Sequence, residues 1–346
     1  MLRVEVKMDE DADLEVATVT ADDVALAAGV SRWTVGRAFR KDASISEKSR
    51  RKVMAAAQSL GYAPDLLAAS LASDRSNLVA LLSDDFENPH SLIVLERLSR
   101  VLRREGWGML LVNMRGESDA PSALLAVSQR RVDAAVLNGT WYDDRVIRTA
   151  LGARRVKKLI VFGRASESPN TVSICCDDAA ALREIAAFVY ARGYRSPLFV
   201  AGPDSPSAIL RRKNTFLAEW LRLTGIRAPF IHVDQYSIGL AHDRVLAALT
   251  GGRHDPRPDV LICENDAIAI GAMDAIRCDL GLSVPSDIAV IGYDDVPLAA
   301  LPTYNLTTFR QPIAEMAEAL VDVLRSDHGP GSDRFFPGEF IRRGSA

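Results

Sequence analysis

The strongest constraint in this 346-residue chain is a rhythm that begins at Leu78, where short, continuously apolar runs alternate with stretches of helical spacing. The runs are LVALLS (78–83), GMLLVN (108–113), VDAAVLN (132–138) and KLIVFG (158–163), and the intervening LIVLERLSRVLRREG repeats its apolar residues at helical intervals. Strands that do not alternate with polar residues are buried on both faces, so the pattern predicts a parallel sheet covered by helices above and below. The rhythm restarts with PLFVAG (197–202), FIHVD (230–234), DVLICEN (259–265) and IAVIGYDD (288–295), which predicts a second, similar α/β unit beside the first. A chain of this length with 48% hydrophobic residues can bury two or three separate cores. The runs end in polar residues: Ser83-Asp84-Asp85, Asn138, Gly163-Arg164, Asp204, Asn265-Asp266 and Asp294-Asp295. Ligands of open parallel sheets bind beyond the carboxyl ends of strands, so a cleft between the two units is the expected small-molecule site.

Residues 20–40, TADDVALAAGVSRWTVGRAFR, follow a different pattern. Thr20 is a good N-cap, Asp22 and Asp23 suit the first helical turn, and Val24, Ala27 and Ala28 fall on one side. Gly29 supplies a left-handed turn residue, and Ser31 caps a second short helix whose Val35, Ala38 and Phe39 repeat the spacing. The exposed face of this helix-turn-helix carries Arg32, Trp33, Gly36, Arg37 and Arg40, a set that suits a DNA major groove. The plainer alternative is a helical hairpin with solvated arginines. Ile45 and Ser46 then predict a hydrophobic staple and N-cap for a third helix, with Val53, Ala56, Ala57 and Leu60 on its packed side and Gly61 at its end. Three helices around Val24, Val35, Phe39, Val53 and Leu60 make a headpiece over residues 18–63.

The net charge of −3 conceals an excess of basic residues in that headpiece, eight against four acidic. Residues 1–17 are acidic, without period, and read as a disordered extension. Pro64 opens a linker over 64–77, short and rich in alanine and serine, yet carrying Leu66, Leu67 and Leu71. Cys175, Cys176, Cys263 and Cys278 show neither metal-ligand nor disulfide-framework spacing, so no metal and no cofactor are expected. With no apolar run long enough for a membrane span and no basic-then-apolar start, the expected compartment is the cytoplasm, in the nucleoid.

The stretches DVALAAGVSRWTVGRAF, ISEKSRRKVMAAAQSLGYAPD, ENDAIAIGAM, VPSDIAVIGYDD and LTTFRQP together resemble the LacI/GalR family of bacterial transcription regulators. The motifs occur in the family's order from residue 18 to about 320. The resemblance implies an all-α helix-turn-helix headpiece joined to an α/β core of two parallel-sheet subdomains, similar to periplasmic binding proteins. That core is expected over 78–346, with an N-subdomain of about 78–175 and 307–334 and a C-subdomain of about 176–306 and 335–346. The implied molecule is a homodimeric repressor that binds palindromic operator DNA and responds to a small sugar or sugar derivative. The family's base-reading positions fall on Arg32, Trp33 and Arg37, and Thr20, Ser31, Thr34 and Arg40 complete the headpiece's expected DNA-binding set. Gly36 and Arg40 depart from the family's usual serine and asparagine, which bears on the operator sequence. Asp65 replaces a usual asparagine in the hinge, and Leu71 falls at the family's wedge leucine, which pries open a central base step.

For the effector, the resemblance implies a guanidinium clamp at Arg212, a cleft pair at Asn265 and Asp266, a strand-end carboxylate at Asp294 and an aromatic wall at Tyr236. Asp84, Asp85, Phe86, Arg164 and Gln311 align with the opposite wall, and His90 stands where relatives commonly have an aromatic residue. An arginine, carboxylates and an aromatic face suit a polyhydroxylated ring. Plainer roles are open for these residues: helix caps for Asp294 and Asp266, a surface cation for Arg212, core packing for Tyr236. Two rival functions also remain, a sugar-binding protein without a regulatory role and a carbohydrate-acting enzyme. The second lacks a nucleophile elbow, a phosphate loop or metal-spaced histidines.

Overall fold

A computed structural model describes residues 19–40, 43–64, 75–114, 120–139, 156–166, 168–203, 211–252, 256–326 and 332–346. The acidic extension, Asp65 and the hinge leucines Leu66, Leu67 and Leu71, and the strand-end Asp204, lie outside them. The chain divides into two units between Asp74 and Arg75.

The first unit holds α1 (Ala21–Ala28), α2 (Arg32–Ala38) and α3 (Glu47–Leu60). Thr20 and Asp23 form a reciprocal capping box: the threonine hydroxyl accepts from Asp23 N at 3.3 Å and the Asp23 carboxylate accepts from Thr20 N at 2.8 Å. Ser31 and Ser46 cap α2 and α3 by accepting from Thr34 N at 3.2 Å and Ser49 N at 3.1 Å. Gly29 (φ +64°) and Gly61 (φ +69°) end α1 and α3 in the left-handed region, where a side chain would be strained. The core is Val24, Ala25, Ala28, Val35, Ala38, Val53 and Ala57.

Two expected core residues are not in it. Ala27 is exposed and Ala25 takes its place, because in an eight-residue helix packed on both α2 and α3 the buried stripe runs through Val24, Ala25 and Ala28. Leu60, in the last turn of α3, is 38% exposed. That end is closed instead by Tyr62, which meets Phe39 edge-on with ring centroids 5.8 Å apart.

The second unit begins with β1 (Leu78–Ser83), α4 (Pro89–Arg104), β2 (Gly108–Asn113), α5 (Ala120–Gln129), β3 (Ala134–Asn138), β4 (Lys158–Phe162) and β5 (Val172–Cys176). It continues with α6 (Asp178–Ala191), β6 (Pro197–Ala201), α7 (Arg211–Thr224), β7 (Phe230–His232), α8 (Ile238–Thr250), β8 (Val260–Cys263), α9 (Asp266–Asp274) and β9 (Ala289–Ile291). The chain closes with β10 (Thr308–Arg310), α10 (Ile313–Arg325), β11 (Arg334–Phe336) and β12 (Glu339–Ile341). One six-stranded parallel sheet has the order β11-β5-β4-β3-β1-β2, and a four-stranded parallel sheet has the order β7-β6-β8-β9. Helices cover both faces of each: α4 and α10 against α5 on the larger sheet, α8 and α9 against α6 and α7 on the smaller. This is the two-lobed parallel architecture that the apolar runs imply.

The lobes exchange chain three times, at 176–178, 310–313 and 336–339. The changeover expected at about 175/176 falls at Cys176, whereas those expected at about 306/307 and 334/335 lie a few residues later, for identifiable reasons. β10 pairs antiparallel with β12 and bridges to the residues after β9, so 307–310 belong with the smaller sheet. β11 runs to Phe336 beside β5 in the larger one. The three connections touch at Gly338, where a Cβ would lie 2.3 Å from Phe309 Cε1, 2.5 Å from the Arg310 carbonyl oxygen and 3.1 Å from Cys176 Sγ.

Candidate functional site

The headpiece face is built on α2. Serine capping leaves the first turn of α2 intact, and spacing of four places Trp33 and Arg37 on one side. Arg32 reaches Asp22 at 3.2 Å, an exposed ion pair worth little by itself. Trp33 is 70% exposed, and the Arg37 guanidinium lies over its ring, 4.3 Å from the centroid. Arg37 Nη2 also donates to the Ser44 carbonyl. Ser31 Oγ and Thr34 Oγ1 are 2.9 Å apart, Thr20 is engaged in its capping box, and Arg40 is exposed. Arg50, which counts among the basic charges, serves the fold: its guanidinium donates to the carbonyls of Ala38, Arg40 and Ala43 at 2.5–3.3 Å, satisfying the end of α2.

In the second unit, loops at the carboxyl ends of strands from both sheets line a cleft with about 550 Å³ of empty space including its mouth. The structure brings Arg164, Arg212, Tyr236, Asn265, Asp294 and Gln311 together there. Asp84 and Phe86 are not on its wall. Asp84 is buried against Gly139, where an added Cβ would fall 1.8 Å from its Oδ1, and Gly139 itself lines the space. Phe86 is half-buried outside it. Asp266 is also displaced from its expected role: fully buried, it accepts from Thr308 Oγ1 at 2.6 Å and Val296 N at 2.8 Å and so ties the start of α9 to β10 and to the loop after β9. Burial, then the nearby Asp294, pushes its pKa well up.

Arg212 is no surface cation. Nε donates to Asp178 Oδ1 at 3.2 Å, Nη1 donates to the Glu264 carbonyl at 3.0 Å, and the guanidinium lies 3.8 Å above the Tyr293 ring centroid. Tyr293 in turn donates to the same Asp178 oxygen at 2.6 Å. Burial alone would pull the guanidinium's pKa down, but Asp178, with Tyr293 and Asp294 behind it, holds the group charged, well above its ordinary value. Tyr236 belongs both to the core and to the cleft, and its ring occupies the space a side chain at Gly202 would need.

On the facing side Gln311 Nε2 donates to Asp294 Oδ1 at 2.6 Å and stands 3.3 Å from His90 Nε2. An amide nitrogen only donates, so His90 Nε2 is the acceptor and its proton sits on Nδ1. Burial, together with Arg212, lowers the His90 pKa against the pull of Asp294, so the ring is neutral at pH 7. Asn265 caps α9 by accepting from Ile268 N at 2.9 Å. Among the buried polar atoms in this lining, the neutral donors His90 Nδ1 and Asn265 Nδ2 and the neutral acceptor Gln311 Oε1 have no protein partner among the described residues, and the Arg164 guanidinium stands beside them. Asp294 adopts φ +116°, a conformation uncommon outside glycine and concentrated at functional sites.

Asn88 and Gly139 also line the cleft and were not singled out by sequence. The signal for Asn88 was available, since Asn-Pro is a helix start: its Oδ1 accepts from His90 N at 3.0 Å, with Pro89 in the first turn of α4.

Half-buried Asp85 has its pKa pushed up to about 7, first by burial and then by Asp84 and Asp294, against the lowering effect of Asn88. Between about pH 4 and about pH 7 the unfolded chain releases this proton while the folded chain keeps it. The group's contribution is therefore fully present below about pH 4 and is lost as pH rises toward 7. Asp85→Asn should remove that part of the fall, read as urea midpoints across the range; a variant whose curve parallels the wild type would refute the assignment.

Two family models match the chain: "Bacterial regulatory proteins, lacI family" over residues 20–65 and "Periplasmic binding protein-like domain" over 186–346. The ribose operon repressor of Escherichia coli (strain K12) is 30% identical over 313 residues, covering 88% of this chain and 92% of that protein. The sucrose operon repressor of Escherichia coli is 30% identical, covering 84% and 88%. Among solved structures, the Lac repressor bound to ONPG in the repressed state superposes with a TM-score of 0.79 over 95% of this chain and 100% of that one, at 23% identity.

Proposed function

The chain belongs to the LacI family of bacterial regulatory proteins, and on that premise we propose that it is a cytoplasmic repressor whose cleft binds one small, polyhydroxylated molecule, a sugar or sugar derivative. Its headpiece binds operator DNA, and the protein acts as a homodimer on an approximately palindromic site, since twofold protein symmetry calls for twofold DNA symmetry. No helix among the described residues is long and apolar enough to cross a membrane. The family consists of DNA-binding regulators, and this chain is read as one that carries out no chemistry on its ligand.

One observation carries the ligand's class. His90 Nδ1, Asn265 Nδ2 and Gln311 Oε1 are buried neutral donors and a buried neutral acceptor without a protein partner among the described residues, and two guanidinium groups, Arg164 and Arg212, stand in the same lining. Hydroxyl groups satisfy all three neutral atoms, which supports a polyhydroxylated ligand.

The test is calorimetric titration with neutral pentoses and hexoses beside their phosphates, followed by band shifts on duplexes selected from a random pool. A sugar from one of these two classes should bind and change operator affinity. Binding by neither class, conversion of the sugar, or selection of no palindrome would overturn the reading. Asp294→Ala should weaken ligand binding by about ten- to a hundredfold through loss of a charge-assisted hydrogen bond. Ligand-free operator affinity should stay near wild type, and an unchanged ligand isotherm would remove Asp294 from the site.

A further inference from the structure

The basic face of α2 contains one side chain whose size the headpiece does not need. Trp33 is 70% exposed and takes no part in the core of Val24, Val35, Ala38 and Val53. What it touches is Arg37, one turn later, whose guanidinium lies 4.3 Å from the indole centroid. The same guanidinium donates from Nη2 to the Ser44 carbonyl, so its plane is set by the ring and one corner by the backbone.

We propose that Trp33 is a positioning residue for base readout, holding Arg37 in the orientation that recognises a guanine in each operator half-site. The inference rests on the DNA-binding reading above. A guanine presents two acceptors, O6 and N7, to two parallel N–H groups, and a guanidinium meets them only in one plane and at one edge. Among the described residues one Nη2 hydrogen is committed to Ser44 and Nε is buried, which leaves both hydrogens of Nη1 and the second of Nη2 for that edge. The indole offers a single donor and no acceptor, so by itself it matches the guanine edge poorly. Ordering a free arginine at an interface weakens binding by about two- to tenfold, and the stack removes much of that cost before the DNA arrives.

Because an exposed residue could also touch DNA directly, the experiment separates the two roles. Full-length wild type, Trp33→Ala, Trp33→Phe, Arg37→Ala and the Trp33→Ala/Arg37→Ala double variant are each used to select from a randomised palindromic duplex pool, after thermal melts confirm folding. Wild type should select a guanine at one position per half-site that Arg37→Ala no longer prefers. Trp33→Ala should lower that preference by about two- to tenfold while sparing the other positions, and Trp33→Phe, which keeps an aromatic face, should retain most of it. In the Arg37→Ala background the tryptophan should have no further effect on that position.

A retained guanine preference in Trp33→Ala, an equal loss at every position, or additive losses in the double variant overturns the proposal. If wild type selects no palindrome, the DNA-binding reading has failed and the proposal with it, an outcome distinct from a palindrome indifferent to Trp33.

Discussion

Arg212→Ala is expected to destabilise the second unit by about 3–5 kcal/mol and to abolish its ligand response together. The guanidinium is buried and bound to the Asp178 carboxylate, so its removal strands a carboxylate to which, among the described residues, Tyr293 alone still donates. The deletion also opens a gap above the Tyr293 ring and frees the Glu264 carbonyl. Urea unfolding measures the first effect and calorimetry the second. A second substitution separates them: adding Asp178→Asn removes the stranded charge and should restore part of the stability, while the lost ligand contact stays lost. A single variant within about 1 kcal/mol of wild type would show that the pair is not the buried post described here.

Gly271→Ala should cost about 3 kcal/mol, at the upper end for one added methyl, because the obstruction is backbone. A Cβ at Gly271 would fall 2.2 Å from the Ile238 carbonyl oxygen and 2.9 Å from both Ala241 Cβ and His242 N. Helices α8 and α9 approach through that glycine, and neither can yield without displacing the smaller sheet's core, to which Ala241, Ile268 and Met273 belong. The headpiece, a separate unit, should melt unchanged. A wild-type urea midpoint for the second unit would contradict this packing.

Much of the fold was legible because it rests on local chemistry. Thr20, Ser31 and Ser46 announce their helices, and runs such as LVALLS and GMLLVN are long and apolar enough to be strands. β10, β11 and β12 have three residues each, too few to display a period, and β5 (VSICC) carries a serine and two cysteines in place of an aliphatic run. The candidate site was legible in part. Arg212, Asp294 and Gln311 could be placed by resemblance, but the partner that fixes Arg212, Asp178, lies 34 residues earlier and has no local mark. Arg50 enters the headpiece's basic charge count, and a composition cannot tell a guanidinium that faces DNA from one that closes a helix end. His90 was visible only as a departure, and its free Nδ1 follows from Gln311, 221 positions away.

The three connections between the lobes meet side by side at Gly338, and this limits how the cleft can move. Two bodies joined by one strap can twist, slide and bend; three straps in mutual contact resist the first two and leave bending about the line through them. Opening then becomes a single coordinate with an open-to-closed ratio. Every ligand, whether it strengthens or weakens the hold on DNA, acts only by its unequal affinity for the two ends of that coordinate. Substitutions at the straps that tilt the ratio therefore act before any ligand arrives. They should rescale the response to all ligands by one common factor, whereas substitutions on the cleft wall reorder ligands relative to one another.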